Sequence, residues 1–293
     1  MLAEVKRTRE FFRHHPVARA HPFATWRRWI AWQLKSRLKR GPFVEPWTGD
    51  TKLVVERGMT GATGNIYCGL HEFADMALVL HFLAGRHESD ASDLFVDVGA
   101  NVGSYTVLAA GVVGVSTLAI EPVPTTFNSL MRNITTNRLQ TIVETFNGAV
   151  GSEAGSIRFS TDRGPMNQVV DSNYPGDSQL VPVATLDNLL TKQEPTILKI
   201  DVEGFESAVL SGAQNVLASP ATQAILLESD DPRISQSMDE AGFGCFDYDP
   251  ITRTVLPVRQ CRQLGNNLWI RAPESFQSRC RAAPPFSVFG FQF

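Results

Sequence analysis

From residue 94 onward, short apolar runs alternate with stretches in which apolar residues recur every three or four positions. Leu94–Val98, Thr117–Ile120, Val143–Val150, Thr196–Val202 and Ala224–Leu227 read as strands, the runs being too short for buried helices. Between them lie amphipathic patterns. Tyr105–Val113 follows a glycine-rich turn, and Pro124 opens a helix with Phe127, Leu130, Met131 and Ile134 on one face. A third pattern places Phe205, Ala208, Val209, Ala213 and Val216 together, and Arg233–Ala241 predicts a short helix. Ser156–Ser160 and Val181–Leu186 form a strand-like excursion around the polar stretch Asp162–Gln179, and Thr254–Val258 with Asn267–Ile270 predicts a closing hairpin. This alternation predicts a doubly wound, Rossmann-like α/β sheet, parallel except near its end.

Before residue 86 the pattern changes. Trp26–Arg40 predicts a helix ended by Gly41-Pro42, with Trp26, Trp29, Ile30, Gln33, Leu34 and Leu38 near helical spacing. Gly58–Gly69, rich in Gly and Thr, predicts a loop, and Phe73, Met76, Ala77, Leu80 and Leu83 predict a helix stopping near Gly85. The expected division is a basic helical extension with a covering loop (1–85), a catalytic domain (86–272) and an aromatic-containing tail (273–293).

A length of 293 residues allows one sizeable core plus such an extension. The net charge of −3 argues against a nucleic-acid partner, but it hides an asymmetry. Residues 1–40 carry eleven Lys/Arg against Glu4 and Glu10, a balance of +9, so the rest carries −12. Cys68, Cys245, Cys261 and Cys280 are widely spaced without a CxxC pair, which fits a reduced protein better than a disulfide scaffold. No secretory pattern is visible, and the longest apolar run, Val107–Ile120, is short for a membrane span. A soluble, cytoplasmic protein is the expectation.

The candidate chemistry lies at strand ends. Asp97-Val98-Gly99-Ala100-Asn101-Val102-Gly103-Ser104 turns the first strand into its helix, where open α/β sheets bind ligands. A dinucleotide fingerprint would place Gly at 101 and 104, where Asn101 and Ser104 stand. Asp97 would repel a diphosphate and suits a cationic amino-acid group instead. Glu121, at the end of the second strand, can accept two bonds from vicinal ribose hydroxyls, though it also reads as an acid before a helix. Asn147-Gly148-Ala149 closes the third strand where an adenine would lie, or forms an ordinary turn.

The fourth strand breaks the apolar rule of a doubly covered strand: Lys199, Asp201 and Glu203 share one face at period two. Such a row is costly unless paired or used, and a structural Lys199 ion pair remains open. Asp97–Tyr105, Ile120-Glu121-Pro122, Thr185-Leu186-Asp187, Leu198–Glu206 and Val209–Ala213 together resemble the FkbM-type methyltransferase family, across about residues 90–230. The resemblance implies S-adenosylmethionine (SAM) as cofactor and methyl transfer, mostly to oxygen, on sugar, glycan or natural-product acceptors. Asp97, Gly99, Asn101, Gly103, Ser104, Glu121, Asn147, Gly148 and Ala149 are then the cofactor candidates. Asp201 or Glu203 is the candidate base, with Lys199 holding it. His71 and Glu72, just after the glycine-rich loop, are substrate candidates that could reach over the cofactor, with a surface or capping role open for His71.

Three alternatives stay open. A nicotinamide oxidoreductase uses the same ribose-binding acid, and a non-catalytic cofactor-binding module uses the same fold. A metal-assisted version would place Mg²⁺ on Asp201, Asp230 and Asp231, although Asp230-Asp231-Pro232 also reads as a helix cap. Residues 26–40 have the composition of a helix on an anionic membrane, or of one packing on the catalytic domain or on a second subunit of a homo-oligomer.

Overall fold

The computed structural model describes residues 2–86, 93–160, 169–171, 173–202, 204–229, 231–258 and 265–293. Eight strands form the central sheet: β1 (Leu94–Val98), β2 (Ser116–Ile120), β3 (Val143–Phe146), β4 (Ile197–Ile200), β5 (Ala224–Glu228), β6 (Gly244–Asp249), β7 (Thr254–Pro257) and β8 (Asn266–Ile270). Their order is β7-β6-β8-β5-β4-β1-β2-β3. β1 to β5 are parallel, and β8 lies antiparallel between β5 and β6. The chain moves outward from β1 to β3, then returns to the other side of β1 to start β4. Strand order therefore reverses between β1 and β4, which leaves a crevice at their carboxyl ends.

Period-two side-chain alternation sorts the core into two layers. Leu94, Val96 and Val98 pack with Leu198, Ile200 and Ile225 on one face, under the helices Glu206–Ser211, Gln214–Ala218 and Pro232–Glu240. Phe95, Ala119, Ile197 and Leu226 face the other layer. That layer contains the helix Phe73–Ala84, nine of whose residues are buried, as expected of a helix apolar all round. Residues 273–293 pack into it too: Phe276 and Cys280 of the helix Pro273–Ala282, then Val288 and Phe293 beyond it. Asp97 and Lys199 are register partners on this second face, so both are buried under helices.

Several elements differ from the sequence-based expectation. Thr254–Val258 and Asn267–Ile270 do not pair with each other; β6 stands between β7 and β8 and bonds to both. Its sequence, Gly-Cys-Phe-Asp-Tyr-Asp, is only half-buried and lacks an apolar run. The third strand ends at Phe146. Asn147-Gly148 then redirects the chain so that Ala149–Val150 joins Ser178–Ala184 and Gly155–Ser160 in a separate three-stranded sheet. A side chain at Gly148 would meet the Phe146 ring at 2.5 Å, so the glycine serves this bend. The stretch expected as a loop holds the helix Thr60–Cys68. There Gly64 admits the His71 ring, whose Nδ1 would lie 2.0 Å from an added Cβ, so tertiary packing overrides weak helix propensity. The helix after the glycine turn is α-helical only over Ser104–Val107 and continues as a π-helical segment, Leu108–Val113.

The basic extension is three helices, Leu2–His14, Pro16–Ala20 and Pro22–Leu38. Trp32 is buried against Phe43, while Trp26 meets Phe12 and Trp29 edge-on. The inward face is thus built on tryptophans, and Ile30, Leu34 and Leu38, read with them as one stripe, are exposed.

Candidate active site

The crevice between β1 and β4 opens into a cleft of about 690 Å³. Gly99, Asn101, Glu121, Gly148, Ala149, Asp201, His71 and Glu72 all line it. Asp97, Gly103, Ser104, Asn147 and Lys199 are not among its lining residues, though Asn147 and Lys199 bond to the lining residues Glu121 and Asp201. Glu203 and Asp230 lie outside the described residues.

The glycine turn wraps over the end of β2, with the N–H groups of Gly99 and Ala100 both donating to the Ile120 carbonyl. Gly99 (φ 79°) and Gly103 (φ 87°) adopt left-handed backbone, and Asn101 does so at φ 52°. A Cβ on Gly99 would sit 1.9 Å from the Asp201 carbonyl oxygen, so this glycine lets β1 and β4 converge. Ser104 accepts a bond from Asn65 Nδ2 at 3.1 Å, which ties the turn to the helix Thr60–Cys68. Asn147 donates to the Glu121 carbonyl at 2.8 Å and braces the opposite loop.

Glu121 bridges these loops. Its Oε2 accepts from the Asn101 N–H at 3.0 Å and its Oε1 from the Val123 N–H at 2.9 Å. Burial raises its pKa to about 7, even though the two N–H bonds favour the charged form. Each oxygen retains a second lone pair for hydroxyl donors. Asp97 is buried more deeply: Oδ2 accepts from Thr106 Oγ1 at 2.7 Å, while Oδ1 is buried with no hydrogen-bond partner. Burial raises its pKa, opposed chiefly by the Lys199 charge.

On the β4 side, Lys199 Nζ donates to Asp201 Oδ2 at 2.8 Å and lies 4.9 Å from the centre of the Tyr105 ring. Burial opposes the ammonium charge, but Asp201, Glu72 and Asp97 outweigh it and raise the lysine pKa. Tyr105 in turn donates to Glu72 Oε2 at 2.6 Å. The pairing expected of Lys199 is therefore made with Asp201, whose side chain remains 30% exposed at the cleft. Strand geometry ends at Ile200, so Asp201 sits on the turn after β4 rather than within it. His71 Nδ1 is buried without a partner, and burial lowers the imidazole pKa, which keeps the ring neutral.

The metal alternative loses one ligand to local structure. Asp231 caps the helix Pro232–Glu240 by accepting from the Arg233 N–H, and the Arg233 guanidinium holds its pKa near 2. Among the described residues, no three His, Cys, Asp or Glu side chains converge on a common metal position.

Some lining residues escaped the sequence reading. Thr125, Thr126, Asn128 and Ser129 lie on the polar side of the helix Pro124–Thr136, and the end of β2 aims that helix's start at the cleft. Their signal was an amphipathic helix directly after a ligand-bearing strand end. Glu56 and Met59, from the segment before the helix Thr60–Cys68, carry no motif.

A mostly parallel sheet with a ligand cleft at the β1/β4 reversal and acids at the ends of β1, β2 and β4 defines a doubly wound, class I-type methyltransferase fold. A family model described as the methyltransferase FkbM domain matches residues 97–280, and the chain belongs to that family. The hexuronic acid methyltransferase AglP of Haloferax volcanii is 30% identical over 135 residues, 45% of this chain and 54% of that protein. The chain thus spans about half the length of this curated relative. Among solved structures, the METTL16 methyltransferase domain matches at 12% identity and TM-score 0.41, over 68% of this chain and 66% of that one. A precorrin 8W decarboxylase from Methanobacterium thermoautotrophicum matches at 16% identity and TM-score 0.37, over 67% and 88%.

Proposed function

We propose that the protein is a SAM-dependent O-methyltransferase acting on a hydroxyl of a sugar or glycan. The observation that carries this reading is that Glu121 and Asp201, at the ends of β2 and β4, line one and the same cleft. The donor set fits the cofactor. Glu121 has the remaining lone pairs to accept from vicinal ribose hydroxyls, Gly148 and Ala149 line the cleft with little side chain where a base would lie, and the buried Asp97 at the end of β1 keeps one carboxyl oxygen without a partner. SAM, when bound, supplies a methyl group already activated on a sulfonium.

The chain must then orient an acceptor oxygen and take its proton. Asp201 Oδ1 has no partner among the described residues, while Oδ2 is held by Lys199, so one oxygen is fixed and the other is free to accept. Asp201 would orient the acceptor hydroxyl and take its proton at Oδ1, while Lys199 holds Oδ2. A base so placed contributes about 10²–10⁴-fold. Lys199 acts through Asp201 and is a positioning residue. The sugar relative AglP supports a glycan acceptor at the level of chemical class.

Labelled SAM, presented with a panel of neutral and acidic glycosides, tests the reading. Label should appear on a sugar oxygen, and Asp201→Asn should reduce kcat at least a hundredfold, as expected for loss of a base, with SAM affinity unchanged. A melting temperature raised by NAD and not by SAM, or near-native turnover in Asp201→Asn, would overturn it.

A further inference from the structure

A second cavity, of about 450 Å³, lies between the N-terminal helices and the helix Thr60–Cys68. Gly58 and His71 line both it and the main cleft, so the two are neighbours across a shared wall. Its chemistry differs from that of the first. Trp29, Trp32 and Phe11 present aromatic surface, Arg7 and Arg57 line it as well, and among the described residues no carboxylate does. Both arginines are exposed, and neither has an ion pair or hydrogen bond to a described residue. Ser36 also lines the cavity, is 8% exposed, and its hydroxyl has no hydrogen-bond partner, nor has the buried Nδ1 of His71.

Buried polar atoms are seldom left unpaired in a folded protein, so two lining one cavity point to a polar ligand that satisfies them. The arginines specify its charge, since a guanidinium grips a carboxylate through two parallel N–H bonds. The tryptophans specify its shape: a flat, partly apolar ring lies well on an aromatic face, and Trp32 is held in place by its edge-on contact with Phe43. A pyranose bearing a carboxylate meets all three demands. We propose that this cavity is an acceptor subsite that holds a carboxylated sugar residue of the glycan, next to the hydroxyl presented in the main cleft. The assignment of an acceptor rests on the glycan methyltransferase reading; the ligand chemistry rests on the cavity alone.

The test is equilibrium binding by tryptophan fluorescence at low salt, using the full chain. The probes are a glucuronate-containing disaccharide, its neutral glucose counterpart and glucose 6-phosphate, and calorimetry measures SAM affinity separately. The uronate should bind at least tenfold tighter than either other sugar, and the double variant Arg7→Gln/Arg57→Gln should remove that preference while SAM affinity stays unchanged. Equal binding of uronate and neutral sugar, tighter binding of the phosphate, or a preference that survives in the double variant would overturn the proposal. Arginine-dependent uronate binding without methyl transfer to any glycan would support the subsite and overturn the catalytic reading instead. Where both hold, the double variant should raise KM for the uronate acceptor about tenfold at unchanged kcat.

Discussion

Glu121 is the residue at which stability and function pull apart. The carboxyl's ordinary pKa of 4.5 rises to about 7 because burial disfavours its charge. Below about pH 4.5 it is protonated in both folded and unfolded chains, and its folding contribution is fully present. As pH rises from there to about 7, the unfolded chain ionises first, and that stability is lost at up to about 1.4 kcal/mol per pH unit. Ribose hydroxyls bind the ionised form better, so cofactor affinity should move the other way and tighten as pH rises through 7. Two measurements follow. Urea unfolding at several pH values should show wild type losing stability relative to Glu121→Gln between pH 4.5 and 7; parallel curves would remove the raised pKa. Calorimetry at pH 8 should show SAM binding at least tenfold weaker in Glu121→Gln, since a hydrogen bond to a charged group is worth about 1.5–3 kcal/mol. Equal affinity in a folded variant would take Glu121 out of the cofactor site.

At the scale of elements, the site depends on how the N-terminal region is pinned to the sheet domain. Asn133, fully buried in the helix Pro124–Thr136, makes that joint. Its Oδ1 accepts from the Val54 N–H at 2.6 Å, and its Nδ2 donates to the Val102 carbonyl at 2.8 Å, so one side chain joins the strand Lys52–Val55, the helix and the glycine turn. Asn133→Ala leaves both backbone groups buried and unpaired, at about 1–3 kcal/mol each. Urea unfolding should therefore show a loss of more than about 2 kcal/mol on that basis; a change within the noise would mean that the joint is redundant. Nothing in the sequence marks Asn133, because an Asn on a helix usually faces solvent. The parallel strands were legible for the opposite reason: buried on both faces, they carry the apolar runs Leu94–Val96 and Ala224–Leu227, with acids only at or near their carboxyl ends. The half-buried β6 and the helix Thr60–Cys68 were not legible, because their order comes from neighbours such as β8 and His71. The candidate site divides the same way. Gly99, Glu121 and Asp201 were readable because strand ends place them; the cavity behind His71 was not, because the helices Leu2–His14, Pro22–Leu38 and Thr60–Cys68 assemble it around side chains that share no motif.

For the whole molecule, the unexplained feature is the outer face of the basic extension. The tryptophan face of the helix Pro22–Leu38 is turned inward, yet Phe23, Ile30, Leu34 and Leu38 remain 91%, 49%, 57% and 81% exposed. Spaced at 7, 4 and 4 residues, they form one outward stripe, with Arg27, Lys35, Arg37, Lys39 and Arg40 along or beyond it. An exposed apolar stripe on a segment of net charge +9 suits a surface that is both apolar and anionic. Among the described residues, Lys35 pairs with Glu45, while Arg27, Lys39 and Arg40 have no ion pair. We therefore expect the protein to float with vesicles rich in anionic lipid at low salt. Flotation should weaken as salt rises, because screening shortens the reach of surface charge to about 8 Å at 0.15 M ionic strength. Replacing Phe23, Leu34 and Leu38 with Ser should weaken it without lowering SAM affinity, since none of the three lines the cofactor cleft. If full-length protein stays at the bottom of the gradient at low salt, the stripe does not bind lipid. If the triple variant floats as well as wild type, basic charge alone is responsible and the apolar row has no part in it.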